Sequence, residues 1–214
     1  MKLDDRGLLV VISGPSRVGK GTVRSALFDM KGHDLVYSVS MTTRKPRQGE
    51  IDGRDYYFVS HEEFEKKIKE NKFLEYAEFV GNYYGTLLDK VEQQLDNGKE
   101  VVLEIEVKGA LQVRERMKDA IFIFIAPPTI EDLYKRLQIR GTESEDVVRA
   151  RCLKAHRELK LAYMYDYIVV NDTVENAADK IMAIIRAEHA KTERTISLYN
   201  SQILKNSGID CDNL

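Results

Sequence analysis

Gly14-Pro15-Ser16-Arg17-Val18-Gly19-Lys20 sets glycines and a lysine around one short loop, a pattern suited to holding phosphate. Main-chain N–H groups of such a loop, with the N-terminus of the helix that follows, face the anion, and Lys20 adds a full positive charge. Gly21 stands where the pattern usually has Ser or Thr, so the hydroxyl that contacts Mg²⁺ is missing, and Thr22 is one residue late. Two readings follow. Either Thr22 takes over, or the metal is held mainly by phosphates and water, as Mg²⁺ tolerates. Arg17 is a large side chain in a tight loop; it needs an ordinary backbone angle, or it carries strain of about 1 kcal/mol or more. It points to solvent or it adds charge near the bound phosphates.

A second group lies in "SVSMTTRKPRQGEIDGRDYYF", where Arg44, Lys45 and Arg47 sit beside hydroxyls and tyrosine. Guanidinium forks suit a phosphate dianion. Glu104 and Glu106 are two apart, so on a strand they share a face near its C-terminal end, where open α/β sheets bind ligands. Two carboxylates there are costly unless donors or a metal meet them. His33, His61, His156 and His189 are scattered without metal-ligand spacing and read as surface residues.

These groups need a frame, and the apolar pattern supplies one. Runs at Leu8–Ile12, Val101–Ile105, Ile121–Ile125 and Tyr167–Val170 predict buried parallel strands. Helical patterns lie between or after them: Lys20–Met30, Leu88–Asn97 stopped by Gly98, Ala110–Met117, Ile130–Arg140 capped by Thr129, Val147–Tyr163 and Val174–Tyr199. Strand alternating with helix implies a doubly wound α/β sheet. Residues 37–87 break the rhythm with aromatic strand candidates (Tyr56–Val59, Leu74–Val80), a turn at Gly81-Asn82 and a helix near His61–Glu70 capped by Ser60 and Glu63. They read as an insertion with its own ligand chemistry, between core segments 1–36 and 88–214.

The 214 residues suit one substantial core, and 33 basic against 35 acidic residues leave no field that would favour nucleic acid or an anionic membrane. Cys152 and Cys211 form neither a disulfide framework nor a metal pair. The apolar run near the start is too short for a membrane span or a signal-peptide core, so the expectation is a cytoplasmic protein with a polar, fraying tail from about Lys205.

Several stretches together resemble guanylate kinases, which move the terminal phosphoryl group of ATP to GMP. They are Ser13–Lys20, Ser38–Tyr57, "FLEYAEFVGNYYGT" (Phe73–Thr86), "LEIEVKGA" (Leu103–Ala110), "IFIAPP" (Ile123–Pro128), "RGTES" (Arg140–Ser144) and "VVND" (Val169–Asp172). The resemblance runs from about Leu8 to Glu188. It implies a P-loop NTPase fold: a parallel sheet flanked by helices, a small inserted GMP-binding α+β subdomain, and a helical lid at about 140–151. It also implies that Gly14, Pro15, Ser16, Arg17, Val18, Gly19, Lys20, Gly21, Thr22 and Asn171 bind ATP. Arg44, Arg47, Tyr56 and Tyr84 would hold the GMP phosphate; Ser40, Glu75 and Thr86 would read guanine. Glu50, Glu104 and Glu106 complete the GMP set, although the family more often has Asp at the last two positions. Lys20, Arg44, Arg140 and Arg151 are the implied catalytic residues, with Mg²⁺ as cofactor. A carboxylate such as Glu75 can accept from guanine N1–H and the exocyclic amine together, which adenine does not offer; the bland alternative is a solvated edge-strand residue. Asn171 and Asp172 are explained almost as well by a helix-capping turn.

On this reading the partners are ATP and GMP, not nucleic acid or membrane, and the protein is a monomer or homodimer. Three rivals are weighed. A non-catalytic module of the same fold would not need Lys20 with the acceptor and lid arginines. A signalling GTPase should carry Asn-Lys-x-Asp, and "VNDT" (Val170–Thr173) is not that motif. A kinase of the same fold for another small phosphate ester differs in what stands at Glu75.

Overall fold

The computed structural model describes residues 6–138 and 145–204. In chain order the elements are β1 (Leu9–Ser13), α1 (Lys20–Asp29), β2 (Leu35–Tyr37), β3 (Met41–Thr42), β4 (Tyr57–Phe58), α2 (His61–Lys69), β5 (Phe73–Phe79), β6 (Asn82–Leu87), α3 (Leu88–Asp96), β7 (Glu100–Glu104), α4 (Val107–Arg116), β8 (Ile121–Ala126), α5 (Ile130–Gln138), α6 (Glu145–Leu159), β9 (Tyr167–Val170), α7 (Val174–His189) and α8 (Thr192–Leu198). Among the described residues they build a five-stranded sheet ordered β2-β7-β1-β8-β9 and a four-stranded sheet ordered β4-β3-β6-β5.

All pairings of the first sheet are parallel. β1 is buried at all five positions, which is why its sequence is an unbroken apolar run ending in serine. Its side chains alternate between two cores. Val10 and Ile12 join Val23, Leu27, Ile123, Ile181 and Ile185 under α1 and α7. Leu9 and Val11 join Val91, Leu95, Leu103, Val113 and Phe122 under α3 and α4. No described helix is long and apolar enough to cross a membrane.

The four expected core strands are present, and β2 is a fifth. It is three residues long and pairs only with β7, too short a run for periodicity to reveal. The helix expected from Ala110 begins at Val107, with Glu106 as its N-cap. The helix expected to run from Val174 to Tyr199 breaks after His189, where Lys191 is extended at φ −59°, ψ 132°. At the break Glu188, buried to 2% exposure, pairs with Lys191 at 2.7 Å and Arg194 at 3.5 Å and accepts from Tyr167 Oη, while Arg194 NH2 donates to Asp119 O at 2.8 Å, contacts that tie this turn to β8 and β9. Caps follow the sequence. Ser60 Oγ accepts from Glu63 N at 3.1 Å, and Thr129 Oγ1 from Asp132 N at 3.0 Å.

The second sheet packs around Met41, Phe64, Phe73 and Leu87, with the Phe64 and Phe73 rings stacked at 4.2 Å. The β5–β6 hairpin turns at Val80-Gly81, one residue before the expected Gly81-Asn82. Their φ values of 49° and 70° have the sign that a two-residue type I′ turn demands. A β-branched residue is strained there, and Asn-Gly is the preferred pair. Val80→Asn is therefore expected to raise stability by about 1 kcal/mol in urea unfolding; a loss of stability would contradict this turn geometry.

Candidate active site

Parallel pairing brings the C-terminal ends of β1 and β7 side by side, with Ile12 opposite Glu104. The phosphate loop leaves β1 at this edge. Gly14 has φ 150° and Gly19 φ 97°, and Gly19 is the N-cap of α1. Arg17 has φ 66°, so of the two alternatives the strained, left-handed one is present. The loop is tied down through one carbonyl: Asn171 Nδ2 donates to Val18 O at 2.8 Å, and Arg136 NH1 donates to the same oxygen at 3.2 Å. Asn171 is buried, and the helix cap that could have explained it falls instead to Thr173, whose Oγ1 accepts from Asn176 N at 3.2 Å.

Lys20 Nζ donates to Gly14 O at 2.7 Å and Pro15 O at 3.1 Å, so the ammonium is folded onto its own loop. Burial pushes its pKa below the ordinary lysine value, opposed by the charges of Glu104, Glu158 and Glu106. A cavity of about 480 Å³ lies beside the loop, lined by Arg17, Gly19, Thr22, Arg136, Asn171, Asp172, Thr173 and Val174. Thr22 thus sits in this wall. Gly21 faces the other way: a side-chain carbon there would lie 3.6 Å from Glu104 Oε1.

A second cavity, about 220 Å³, lies between the two sheets and is lined by Tyr37, Ser40, Tyr56, Glu75, Tyr84, Gly85, Glu104, Glu106 and Gly109 among others. Glu75 reaches it through a β-bulge. Phe73 pairs with Leu87 and Glu75 with Thr86, so Leu74 is the extra residue. The bulge sends Leu74 into the main core and turns Glu75 to the cavity, 6% exposed. Thr86 Oγ1 donates to Glu75 Oε1 at 2.7 Å. Burial raises the Glu75 pKa above the ordinary carboxylate value, with the Thr86 hydroxyl and main chain opposing. A solvated edge-strand glutamate is excluded.

Arg44 forms a two-point pair with Glu50, NH1 to Oε2 and NH2 to Oε1 at 2.9 Å each, and lies 5.3 Å from the Tyr56 ring. Glu50 also accepts from Arg47 N at 2.7 Å, and these contacts hold its carboxyl below the ordinary range. Tyr56 and Tyr84 meet edge to face at 6.1 Å. The Arg47 side chain is exposed. Glu104 and Glu106 do not act as two positions on one strand face, because β7 ends at Glu104. Glu104 pairs with Arg24 at 3.2 Å, and Glu106 with Lys154 of α6 at 3.0 Å. Arg151 lies on α6 one turn before Lys154. Arg140 and the rest of Arg140–Ser144 lie outside the described residues, as do Cys211 and the tail from Lys205.

The sequence reading had not singled out Arg24, Arg136 or Lys154. Each lies on a helix among other charged residues, and no local pattern separates a cation that meets the site from one that meets water.

The chain matches the guanylate kinase family model over residues 6–188. The chain belongs to the guanylate kinase family. Similar members include the guanylate kinase of Aster yellows witches'-broom phytoplasma, 59% identical over 93% of this chain and 95% of that one. That of Bacillus subtilis is 52% identical over 94% and 98%. The crystal structure of guanylate kinase from Anaplasma phagocytophilum superposes with a TM-score of 0.73 at 35% identity, covering 94% of this chain and 98% of that one. Family membership accounts for a mostly parallel sheet with the P-loop at its edge.

In this guanylate kinase family member the raised pKa of Glu75 makes stability depend on pH. The folded state binds that proton more tightly than the unfolded chain, so the group's stabilising contribution is present at low pH and lost as pH rises through the folded pKa. The stability of Glu75→Gln relative to the parent protein is expected to increase from pH 5 to pH 8. Urea unfolding at several pH values checks this; a difference that shrinks as pH rises would contradict it.

Proposed function

We propose that the chain is an ATP:GMP phosphotransferase that moves the γ-phosphoryl group of ATP to GMP, releasing ADP and GDP. The observation that carries the reading is the juxtaposition of a phosphate loop and a separate cavity containing a buried carboxylate, both at one sheet edge. Glu75 would accept from guanine N1–H and the exocyclic amine, with Ser40 and Thr86 completing the base contacts. Arg44, Arg47, Tyr56 and Tyr84 would hold the acceptor phosphate. Glu50 binds Arg44 with both oxygens, so its part would be to aim that guanidinium.

In the transfer, an oxygen of the acceptor phosphate attacks Pγ in line, the bond from Pγ to the β-phosphate oxygen breaks, and ADP leaves. The acceptor's second pKa is about 6, so near neutrality it is already mostly the dianion and no general base is required. Lys20 would leave the carbonyls of Gly14 and Pro15 for the donor β- and γ-phosphates. Arg44 would bridge toward the moving group, and Arg140 and Arg151 would close over it, a type of contribution worth ~10³–10⁵ in rate. Gly14 to Thr22, with Asn171 bracing Val18, would form the ATP cradle, and Thr22 would serve its outer wall.

The residues present suit Mg²⁺ held mainly through phosphates and water, since Gly21 brings no ligating hydroxyl to the start of α1. Glu104, across from the bare Gly21, is the carboxylate available to its water shell, and the ion would neutralise charge on the β- and γ-phosphates. Near-zero net charge gives no whole-molecule field that would favour nucleic acid or an anionic membrane over the small nucleotides ATP and GMP as partners.

A coupled assay with Mg²⁺·ATP across GMP, AMP, CMP and UMP should show kcat/KM for GMP at least about 10³-fold above AMP, because a site built around polar contacts rejects an analogue that leaves them unpaired. Glu75→Ala should raise the KM for GMP far more than that for ATP. Equal defects toward both nucleotides would remove Glu75 from base recognition, and comparable use of AMP would reject the proposed acceptor.

A further inference from the structure

Glycine inside a helix is less favourable than alanine, yet α4 carries a buried glycine in its first turn, Gly109. The backbone does not require it, since Gly109 is not among the residues with positive φ. Its surroundings do. A Cβ at this position would lie 2.6 Å from Glu75 Oε2 and 3.3 Å from Glu75 Cδ. The carboxylate therefore occupies the space where a side chain would begin.

Glu75 cannot yield by moving its strand, because β5 is fastened to α4 on both sides of it. Gln112 clasps the next residue at two points: Tyr76 N donates to Gln112 Oε1 at 3.2 Å and Gln112 Nε2 donates to Tyr76 O at 2.9 Å. Arg116 donates to Phe73 O and Asn71 Oδ1. An added methyl group would be relieved at the flexible end, by rotation of the carboxylate away from α4 and out of line with Thr86. The geometry points to Gly109 as a specificity-determining residue: its missing side chain seats the Glu75 carboxylate, and any larger residue shifts the acceptor that reads the base. The inference rests on the reading of Glu75 as the guanine contact.

The test is Gly109→Ala in the full chain, with binding of GMP and of a non-hydrolysable ATP analogue by calorimetry, steady-state KM for both substrates, and thermal melting. Misplacing a buried polar partner predicts a roughly 10–100-fold loss of GMP affinity. ATP affinity should stay within about twofold, and the melting temperature should hold or rise because alanine is the better helix former. Unchanged GMP affinity would overturn the inference, as would a parallel loss of both ligands with a lower melting temperature. Shortening the acid adds a second measurement: in Glu75→Asp/Gly109→Ala the carboxylate is drawn back from the new methyl, so the combined GMP penalty should be smaller than the product of the single ones. Multiplicative penalties would count against it. The parent protein's acceptor preference is measured in parallel. If GMP is not preferred, both readings fall; if it is preferred and Gly109→Ala is indifferent, only this one does.

Discussion

Parallel pairing of β1 with β7 on one side and β8 on the other governs the architecture. A strand buried along its whole length cannot slip by one residue without turning an apolar side chain from one core into the other. Its last residue, Ser13, is thereby held at one point, and the phosphate loop starts there. The same register sets Glu104 beside Ile12 and places the bare Gly21 of α1 opposite that carboxylate. The two cavities lie at the C-terminal ends of the strands of the five-stranded sheet, which all run the same way.

The acceptor side depends on a different device. The second sheet has its own small aromatic core, but it is joined to the main body where α4 meets β5. The bulge at Leu74 serves both bodies at once, placing an apolar side chain in the main core and a carboxylate in the cavity. A regular strand would have sent those two residues to opposite faces without offering Glu75 both Thr86 and the gap at Gly109.

Electrostatically, the site holds groups whose charged forms burial disfavours. The pKa of Glu75 is raised and that of Lys20 is lowered. Among the described residues neither forms an ion pair: Glu75 accepts from a hydroxyl, and Lys20 donates to loop carbonyls. On the proposed reading, phosphate oxygens and guanine N–H donors would be the complementary partners, and their binding would relieve this cost of burial. Arg44 differs, being already matched by Glu50. If these residues act as proposed, stability and activity would be set against each other at the first two positions and not at the third.

Local signals were sufficient for the four long strands of the main sheet, most helix positions, the caps at Ser60 and Thr129, and the phosphate loop, because each depends on residues within a turn or two of one another. The short strand β2, the break before α8, the bulge at Leu74 and the left-handed angle at Arg17 depend on what lies across the fold. The same division runs through the site. Residue types along the chain named Lys20 and Arg44 as candidates and the family resemblance added Glu75, but burial of Glu75, the pairing of Glu50 with Arg44, the separate partners of Glu104 and Glu106, and the close approach of Glu75 to the bare Gly109 were decided by tertiary structure. Their cause is contact between segments distant in sequence, and desolvation and steric exclusion arise only when those segments close on one another.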